Sequence, residues 1–128
     1  MPPTMQPLSH WPAEQRRCIT GVFTDIDDTL TSNGAITGNA LQALRALKDA
    51  GLHVIAITGR PVGWSEPFAR TWPVDAIVAE NGSVALVHRG ISESLGNRCE
   101  GLSRLYLQDS ATRATNFARM QQVAQRVL

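Results

Sequence analysis

The chain has 128 residues, 43% of them hydrophobic and 18% charged, which is ordinary composition for one water-soluble globular domain. Its net charge of +1, without a basic run or an acidic tail, argues against nucleic acid or a membrane surface as the main partner. No apolar run reaches the ~18 residues of a membrane helix, and Cys18 and Cys99 lack metal-binding spacing. We therefore expect a cytoplasmic protein with reduced thiols.

The chain is predicted to begin with a loose leader over residues 1–17. This segment carries Pro2, Pro3, Pro7 and Pro12 among polar residues, and proline disfavours regular structure. A core domain is predicted to follow over residues 18–90.

Three aspartates follow the first predicted strand. The apolar run Ile19 to Phe23 predicts a buried strand that ends where the acids begin. Side chains two apart on a strand share a face, so Asp25 and Asp27 should point the same way at its carboxyl end, where open α/β sheets bind ligands. Aligned carboxylates repel unless a cation lies between them, and oxygen ligands suit Mg²⁺. Asp25 and Asp27 are therefore candidate metal ligands.

A helix and a second strand are predicted next. Thr37 can cap the helix, apolar residues recur at helical spacing, and Gly51 follows its last turn. The near-continuous apolar run His53 to Thr58 is typical of a parallel strand covered on both faces. It ends in Thr58-Gly59-Arg60-Pro61, at the same edge of the sheet as Asp25.

The third unit is a weaker helix and a third parallel strand. Pro67 within Val62 to Thr71 predicts a kink or a late helix start, and we interpret the aromatic stripe of Trp64, Phe68 and Trp72 as core packing. Asp75 to Ala79 is the predicted strand. The turn at Asn81-Gly82, followed by Val84 to Val87, predicts a β-hairpin leaving the main sheet.

The remaining segment, residues 91–128, is predicted to contain a loop, a strand and a helix. Ser92 to Gly101 is polar, Leu102 to Leu107 alternates, and Asp109 or Ser110 can cap a final helix. The apolar face of this helix needs a partner and comprises Phe117, Met120, Ala124 and Val127.

Three stretches together resemble the haloacid dehalogenase superfamily. They are Asp25-x-Asp27-x-Thr29, Thr58-Gly59-Arg60 and Ala79-Glu80-Asn81-Gly82, each after a predicted strand. The resemblance implies a Rossmann-like α/β fold with a parallel sheet, here only its first three strands. The last stretch resembles the subgroup whose large α/β cap is inserted after the third strand, which implies that residues 91–128 begin a cap. Members of that subgroup include sugar-phosphate, trehalose-phosphate and sucrose-phosphate phosphatases.

The resemblance also implies roles for individual residues. Asp25 would attack phosphorus to form an aspartyl phosphate, Asp27 would act as acid and base, and Mg²⁺ would be held by Asp25 and by the carbonyl of Asp27. Four residues would form the phosphate-binding set: Thr58 and the Gly59 amide would hold the phosphoryl oxygens, Thr29 would brace the loop and Arg60 would line the entrance. Asn81 and Gly82 would form a substrate loop, although Asn81 is equally well explained as a turn former. The implied substrate is a small phosphorylated metabolite such as a sugar phosphate.

Later motifs of the family are missing from these residues. The family uses a Lys or Arg and an acidic pair from strands after the cap, whereas the single lysine, Lys48, lies in the first helix and no Gly-Asp-x-x-x-Asp follows Glu80. We therefore expect an amino-terminal fragment of a longer phosphatase, weakly active or inactive. The bare edge of the first strand, or the final helix, should then promote self-association.

Two other classes of site are excluded and two alternatives stay open. A calcium loop needs Gly at position six and Glu at position twelve, where this chain has Leu30 and Ile36. A phospho-receiver domain needs an aspartate closing the third strand, where this chain has Ala79-Glu80. A non-catalytic module that acts by metal binding or protein interaction, and phosphomutase-type phosphotransfer, remain as alternatives.

Overall fold

The computed structural model describes residues 4–88 and 101–127. Its strands are β1 (Gly21–Asp25), β2 (Thr31–Ser32), β3 (Ala35–Ile36), β4 (His53–Ile57), β5 (Ala76–Ala79), β6 (Val84–His88) and β7 (Leu102–Tyr106). Its α-helices are α1 (Ala13–Arg16), α2 (Gly38–Asp49), α3 (Val62–Thr71) and α4 (Ser110–Val127). Short 3-10 turns cover Leu8–His10 and Glu80–Gly82. Most of the predicted loop from Ser92 to Gly101 lies outside the described residues.

A five-stranded sheet in the order β1-β4-β5-β6-β7 organises the molecule. β1, β4 and β5 run parallel, with Asp25 beside Ile57 and Ile57 beside Val78. β6 and β7 continue the sheet antiparallel, and β2 pairs with β3 in a separate small hairpin. The predicted α/β class with a parallel first half is confirmed.

The two helices between the parallel strands form where local chemistry favours them. The Thr37 hydroxyl accepts a hydrogen bond from the Ala40 N–H, so α2 has a side-chain cap at its start. Gly51, just past its end, has a φ of +79°, which glycine adopts without steric cost. Leu44 is the buried residue of α2. Both ends of this helix agree with the prediction.

The core lies between the sheet and one face of these helices. Its buried hydrophobic side chains include Ile26, Leu44, Val54, Ala56, Ala69, Trp72, Ile77 and Leu86. Trp64 and Phe68 pack against this cluster, with ring centroids 4.7 Å apart, and Phe68 lies 4.8 Å from Trp72. The aromatic stripe therefore packs as core, as the spacing indicates.

The first strand differs from its prediction in position and burial. It runs over Gly21–Asp25 rather than Ile19 to Phe23, because the parallel register begins with Gly21 beside His53. As the edge strand it leaves Phe23 69% exposed. The expectation of a buried strand is wrong at Phe23, whereas the expected bare edge of the first strand is confirmed, because β1 pairs on one side only and ends the strand order of the described sheet.

Three further expectations need correction. The leader contains helical turns at Leu8–His10 and Ala13–Arg16. α3 starts at Val62 although Pro67 lies inside it, because the first helical hydrogen bond, from the Ser65 N–H to the Pro61 carbonyl, forms before the proline is reached. The hairpin does not leave the main sheet. Residues 80–82 have positive φ values, so the turn returns β6 directly alongside β5, with Ala79 beside Val84.

Among the described residues, no helix combines the length and apolarity needed to cross a membrane.

Candidate functional site

The predicted site residues lie at the carboxyl ends of the three parallel strands. Asp25 closes β1, and Thr58 follows β4, where its N–H donates to the Val78 carbonyl on β5. The turn at Glu80–Gly82 follows β5 directly. One rim of the sheet therefore collects the three stretches that carry the resemblance.

A tight loop after β1 presents the aspartates. The N–H groups of Thr29, Leu30 and Thr31 all approach the carbonyl oxygen of Ile26, at 3.3, 3.0 and 3.1 Å. Ile26 is fully buried and anchors the loop in the core. The Thr29 hydroxyl donates to Oδ2 of Asp25 over 3.3 Å, which is the bracing contact that the motif predicts.

Asp27 receives hydrogen bonds from the segment after β4. Its Oδ2 accepts from the buried Thr58 hydroxyl at 3.3 Å, and its Oδ1 accepts from Nε and Nη2 of Arg60 at 3.3 and 3.1 Å. The Thr58 hydroxyl oxygen in turn accepts from the Arg60 N–H. Asp28 has a φ of +58° and its N–H donates to the Thr31 hydroxyl, while its carboxylate makes no hydrogen bond or ion pair within the described residues.

Gly59 and Asn81 approach each other closely. A Cβ on residue 59 would lie 2.9 Å from Oδ1 of Asn81, closer than real Cβ contacts. The Asn81 N–H donates to the Thr58 carbonyl, and Asn81 holds a φ of +53°, followed by Gly82 at +97°. The turn-forming role of Asn81 is therefore visible in the structure. Its substrate-loop role stays a prediction.

The sequence assigned no role in this region to Glu80 or Trp64, and both make contacts there. The Glu80 carboxylate accepts a hydrogen bond from the Val62 N–H at 3.0 Å, and the backbone N–H of Glu80 donates to the Arg60 carbonyl. The Trp64 ring lies 5.0 Å from the Arg60 guanidinium carbon. Pro61 was the sequence signal for the Glu80 contact. It precedes α3 and provides no side-chain cap, so the N–H groups of the first helical turn need an acceptor from elsewhere in the chain.

Lys48 lies at the other end of the sheet and is not part of this site. Its ammonium pairs with Asp75, which directly precedes β5. Burial raises the pKa of Asp75, but hydrogen bonds from Lys48 and from the Val54 N–H outweigh burial and hold this pKa below its ordinary value. Lys48 is therefore a structural partner of Asp75.

The site offers two carboxylates to a metal ion. In residues 4–88 and 101–127, no group of three or more His, Cys, Asp or Glu side chains is placed to hold a metal. Asp25 and Asp27 remain the candidate ligands, and Mg²⁺ binding stays a prediction.

Comparison with known proteins defines the family. Residues 22–94 match the haloacid dehalogenase-like hydrolases, which is more than half of the chain. The chain belongs to this family. No curated protein matches it.

Two solved structures share the fold. BT1666 from Bacteroides thetaiotaomicron, one of the phosphatases of the haloalkanoate (HAD) enzyme superfamily, is 21% identical with a TM-score of 0.57 over 85% of this chain. A hypothetical protein from Geobacillus kaustophilus HTA426 is 26% identical with a TM-score of 0.51 over 81% of this chain. The matched regions cover 36% and 37% of those proteins, so the chain spans little more than a third of their length.

Proposed function

We propose that this chain carries the nucleophile and the phosphate-binding half of a Mg²⁺-dependent phosphatase site. The observation that carries the proposal is the bond from the Thr58 hydroxyl to Asp27, which joins two motifs 31 residues apart at one rim of the parallel sheet. Family membership adds a hydrolase class to that geometry.

The reaction divides into two steps on one carboxylate. Asp25 attacks the phosphorus of a phosphate monoester, and the P–O bond to the leaving alcohol breaks while Asp27 donates a proton to that oxygen. Asp27 then accepts a proton from water as the water attacks the phosphorus of the aspartyl phosphate. Inorganic phosphate leaves, and Asp25 is restored as a carboxylate.

The surrounding groups orient this chemistry. The Thr58 hydroxyl and the Gly59 N–H are proposed to donate to the non-bridging phosphoryl oxygens. Thr29 holds Oδ2 of Asp25 through its hydroxyl, which limits rotation of the nucleophile.

The donor chemistry fits Mg²⁺. Asp25 and Asp27 supply hard oxygen ligands, and a bound Mg²⁺ would offset the negative charge of carboxylate and phosphate. Because these are two ligands of an octahedral shell, we expect phosphate, water and the acidic pair that the family supplies from strands after the cap to contribute the others.

We propose a small phosphorylated metabolite, in particular a sugar phosphate, as the substrate. The support is the resemblance of Ala79-Glu80-Asn81-Gly82 to the subgroup with a large cap. A screen of sugar phosphates against other phosphate monoesters tests this choice, and equal turnover of all of them would contradict it.

Hydrolysis of p-nitrophenyl phosphate tests the reaction. We expect slow, Mg²⁺-dependent release of p-nitrophenol by the native chain and none above background by Asp25→Asn. Asp28→Asn is the matched control, because Asp28 is a neighbouring carboxylate outside the network and Asn tolerates its positive φ. Equal rates for the native chain and Asp25→Asn would contradict the proposal.

A non-catalytic module is the second candidate. The observation that favours it is the incomplete ligand set, with two carboxylates and no third group among the described residues. Such a module would bind Mg²⁺ without turnover, which titration calorimetry with MgCl₂ would reveal. Phosphomutase-type transfer differs only in the acceptor, so transfer to an added sugar phosphate instead of water would identify it.

A further inference from the structure

The Arg60 guanidinium is held from two sides. Nε and Nη2 both donate to Oδ1 of Asp27, and the guanidinium carbon lies 5.0 Å from the centroid of the Trp64 ring. Cations are attracted to aromatic faces at this distance. An exposed arginine would otherwise sample many rotamers, and these two contacts restrict it to the rim of the sheet.

Trp64 is itself fixed. Its ring packs against Phe68 with centroids 4.7 Å apart, and Trp64 and Phe68 both pack on the hydrophobic core. The Trp64 N–H donates to the Pro61 carbonyl, which ties the first turn of α3 to the segment that carries Arg60. Core packing alone would not require a cation on this ring.

The Arg60 side chain retains unused binding capacity. A guanidinium has five N–H donors, and two of them point at a single oxygen of Asp27. Within residues 4–88 and 101–127 the other three have no acceptor, and 54% of the side chain is exposed. The Asp27 carboxylate that holds the guanidinium also accepts from the Thr58 hydroxyl, which in turn accepts from the backbone N–H of Arg60.

The other basic side chains in ion pairs bond carboxylates outside the candidate site. Among the described residues, Lys48 pairs with Asp75, while Arg70 and Arg104 both pair with Glu66. Arg60 is the cation that the structure places in contact with a carboxylate of the candidate site.

We propose that Trp64 is a positioning residue that, with Asp27, holds Arg60 so that its free N–H groups bind the phosphate of the substrate. The contact between Trp64 and Arg60 stands on geometry alone, whereas the phosphate contact rests on the proposed function. Trp64 then affects the affinity of the site for phosphate without touching the ligand itself.

The contact is tested by NMR of the free chain. We expect nuclear Overhauser effects between the Arg60 side chain and the Trp64 indole, and a distinct Nε–H signal of Arg60. Trp64→Phe should retain a shifted signal, whereas Trp64→Leu, which keeps an apolar side chain, should move it to the position of a solvent-exposed arginine. An Arg60 signal unchanged by Trp64→Leu would overturn the positioning role.

The phosphate contact is tested by calorimetric titration with inorganic phosphate in MgCl₂. Arg60→Ala should weaken binding by roughly tenfold or more, as expected for a lost charge-assisted hydrogen bond. Trp64→Leu should weaken it about two- to fivefold, the range of an exposed cation–π contact, while Trp64→Phe stays closer to native. Arg70→Ala is the matched control, a surface arginine on α3 paired with Glu66, and should bind as the native chain does.

The outcomes separate this inference from the proposed function. Native binding that is lost in Arg60→Ala but unchanged in Trp64→Leu overturns the role of Trp64 and leaves the phosphatase site standing. An equal loss in Arg70→Ala would show a general charge effect and overturn the role of Arg60. Failure of the native chain to bind phosphate would overturn the phosphate contact together with the proposed function, while the NMR result would still decide the contact between Trp64 and Arg60.

Discussion

Thr58 shows how one side chain can serve both structure and chemistry. It is 2% exposed, its hydroxyl donates to Asp27, and the same oxygen accepts from the Arg60 N–H. A buried hydroxyl with two partners in the site is costly to remove, since each partner loses a hydrogen bond. Thr58 therefore links the orientation of Asp27 to the backbone after β4.

Thr58→Val should impair the site more than it impairs the fold. The variant keeps the shape of the side chain but leaves the Arg60 N–H without its acceptor, so we expect about 1–2 kcal/mol of lost stability in urea unfolding. Phosphate affinity should fall by roughly tenfold. Thr58→Ser is the control because it retains the hydroxyl. Equal phosphate affinity in Thr58→Val and the native chain would count against a role in phosphate binding.

At the scale of elements, Asp75 joins three parts of the fold. Its carboxylate accepts from the Lys48 ammonium on α2 and from the Val54 N–H on β4, and it directly precedes β5. With 15% of its side chain exposed, it is shielded from water. The ion pair holds α2 against the end of the sheet opposite the candidate site.

Asp75 should make stability depend on pH in the acid range. Its pKa is lower in the folded chain than the ordinary 3.8, so the ionised form adds stability above about pH 4 that is lost as pH falls through the folded pKa. At pH 7, Asp75→Asn should cost on the order of 1–2 kcal/mol in urea unfolding, and the difference from native should shrink below pH 4.

The matched control is Asp49→Asn, which removes an exposed carboxylate at the end of α2. This variant should unfold at nearly the same urea concentration as the native chain at pH 7 and at pH 3. A stability difference between Asp75→Asn and native that stays constant from pH 7 to pH 3 would contradict the assigned charge pairing.

Glu80 illustrates what local patterns could and could not predict. Helix periodicity, Thr37 and Gly51 located α2, and the apolar runs located the parallel strands, because these signals depend on neighbouring residues alone. The contact between Glu80 and the Val62 N–H joins residues 18 apart, and it depends on the path of the turn after β5. That β6 stays in the main sheet beside β5 was missed for the same reason. The three motifs still indicated which residues share one rim.

At the scale of the whole molecule, β1 leaves one edge of the described sheet unpaired. β1 pairs with β4 on one side and ends the strand order on the other, and Phe23 is 69% exposed. The backbone groups on an open edge can pair with another strand. α4 offers a second apolar surface, with Phe117, Met120 and Val127 each more than half exposed.

We propose that two copies of the chain associate through β1. Light scattering of the native chain should show a mass that rises with concentration, and Phe23→Glu should shift it toward the monomer because a charge replaces the exposed ring at the pairing edge. Met120→Glu is the matched variant on α4 and should leave association unchanged. A native chain that remains monomeric at high concentration would contradict the proposal, and loss of association in Met120→Glu alone would place the contact on α4.

Beryllofluoride binding followed by ¹⁹F NMR tests most directly whether Asp25 is the nucleophile of a magnesium-dependent phosphoryl site. We predict a bound fluorine signal that requires Mg²⁺, is absent in Asp25→Asn and persists in Asp28→Asn. A bound signal that survives Asp25→Asn, or the absence of any Mg²⁺-dependent signal in the native chain, would contradict the role of Asp25 as the nucleophile.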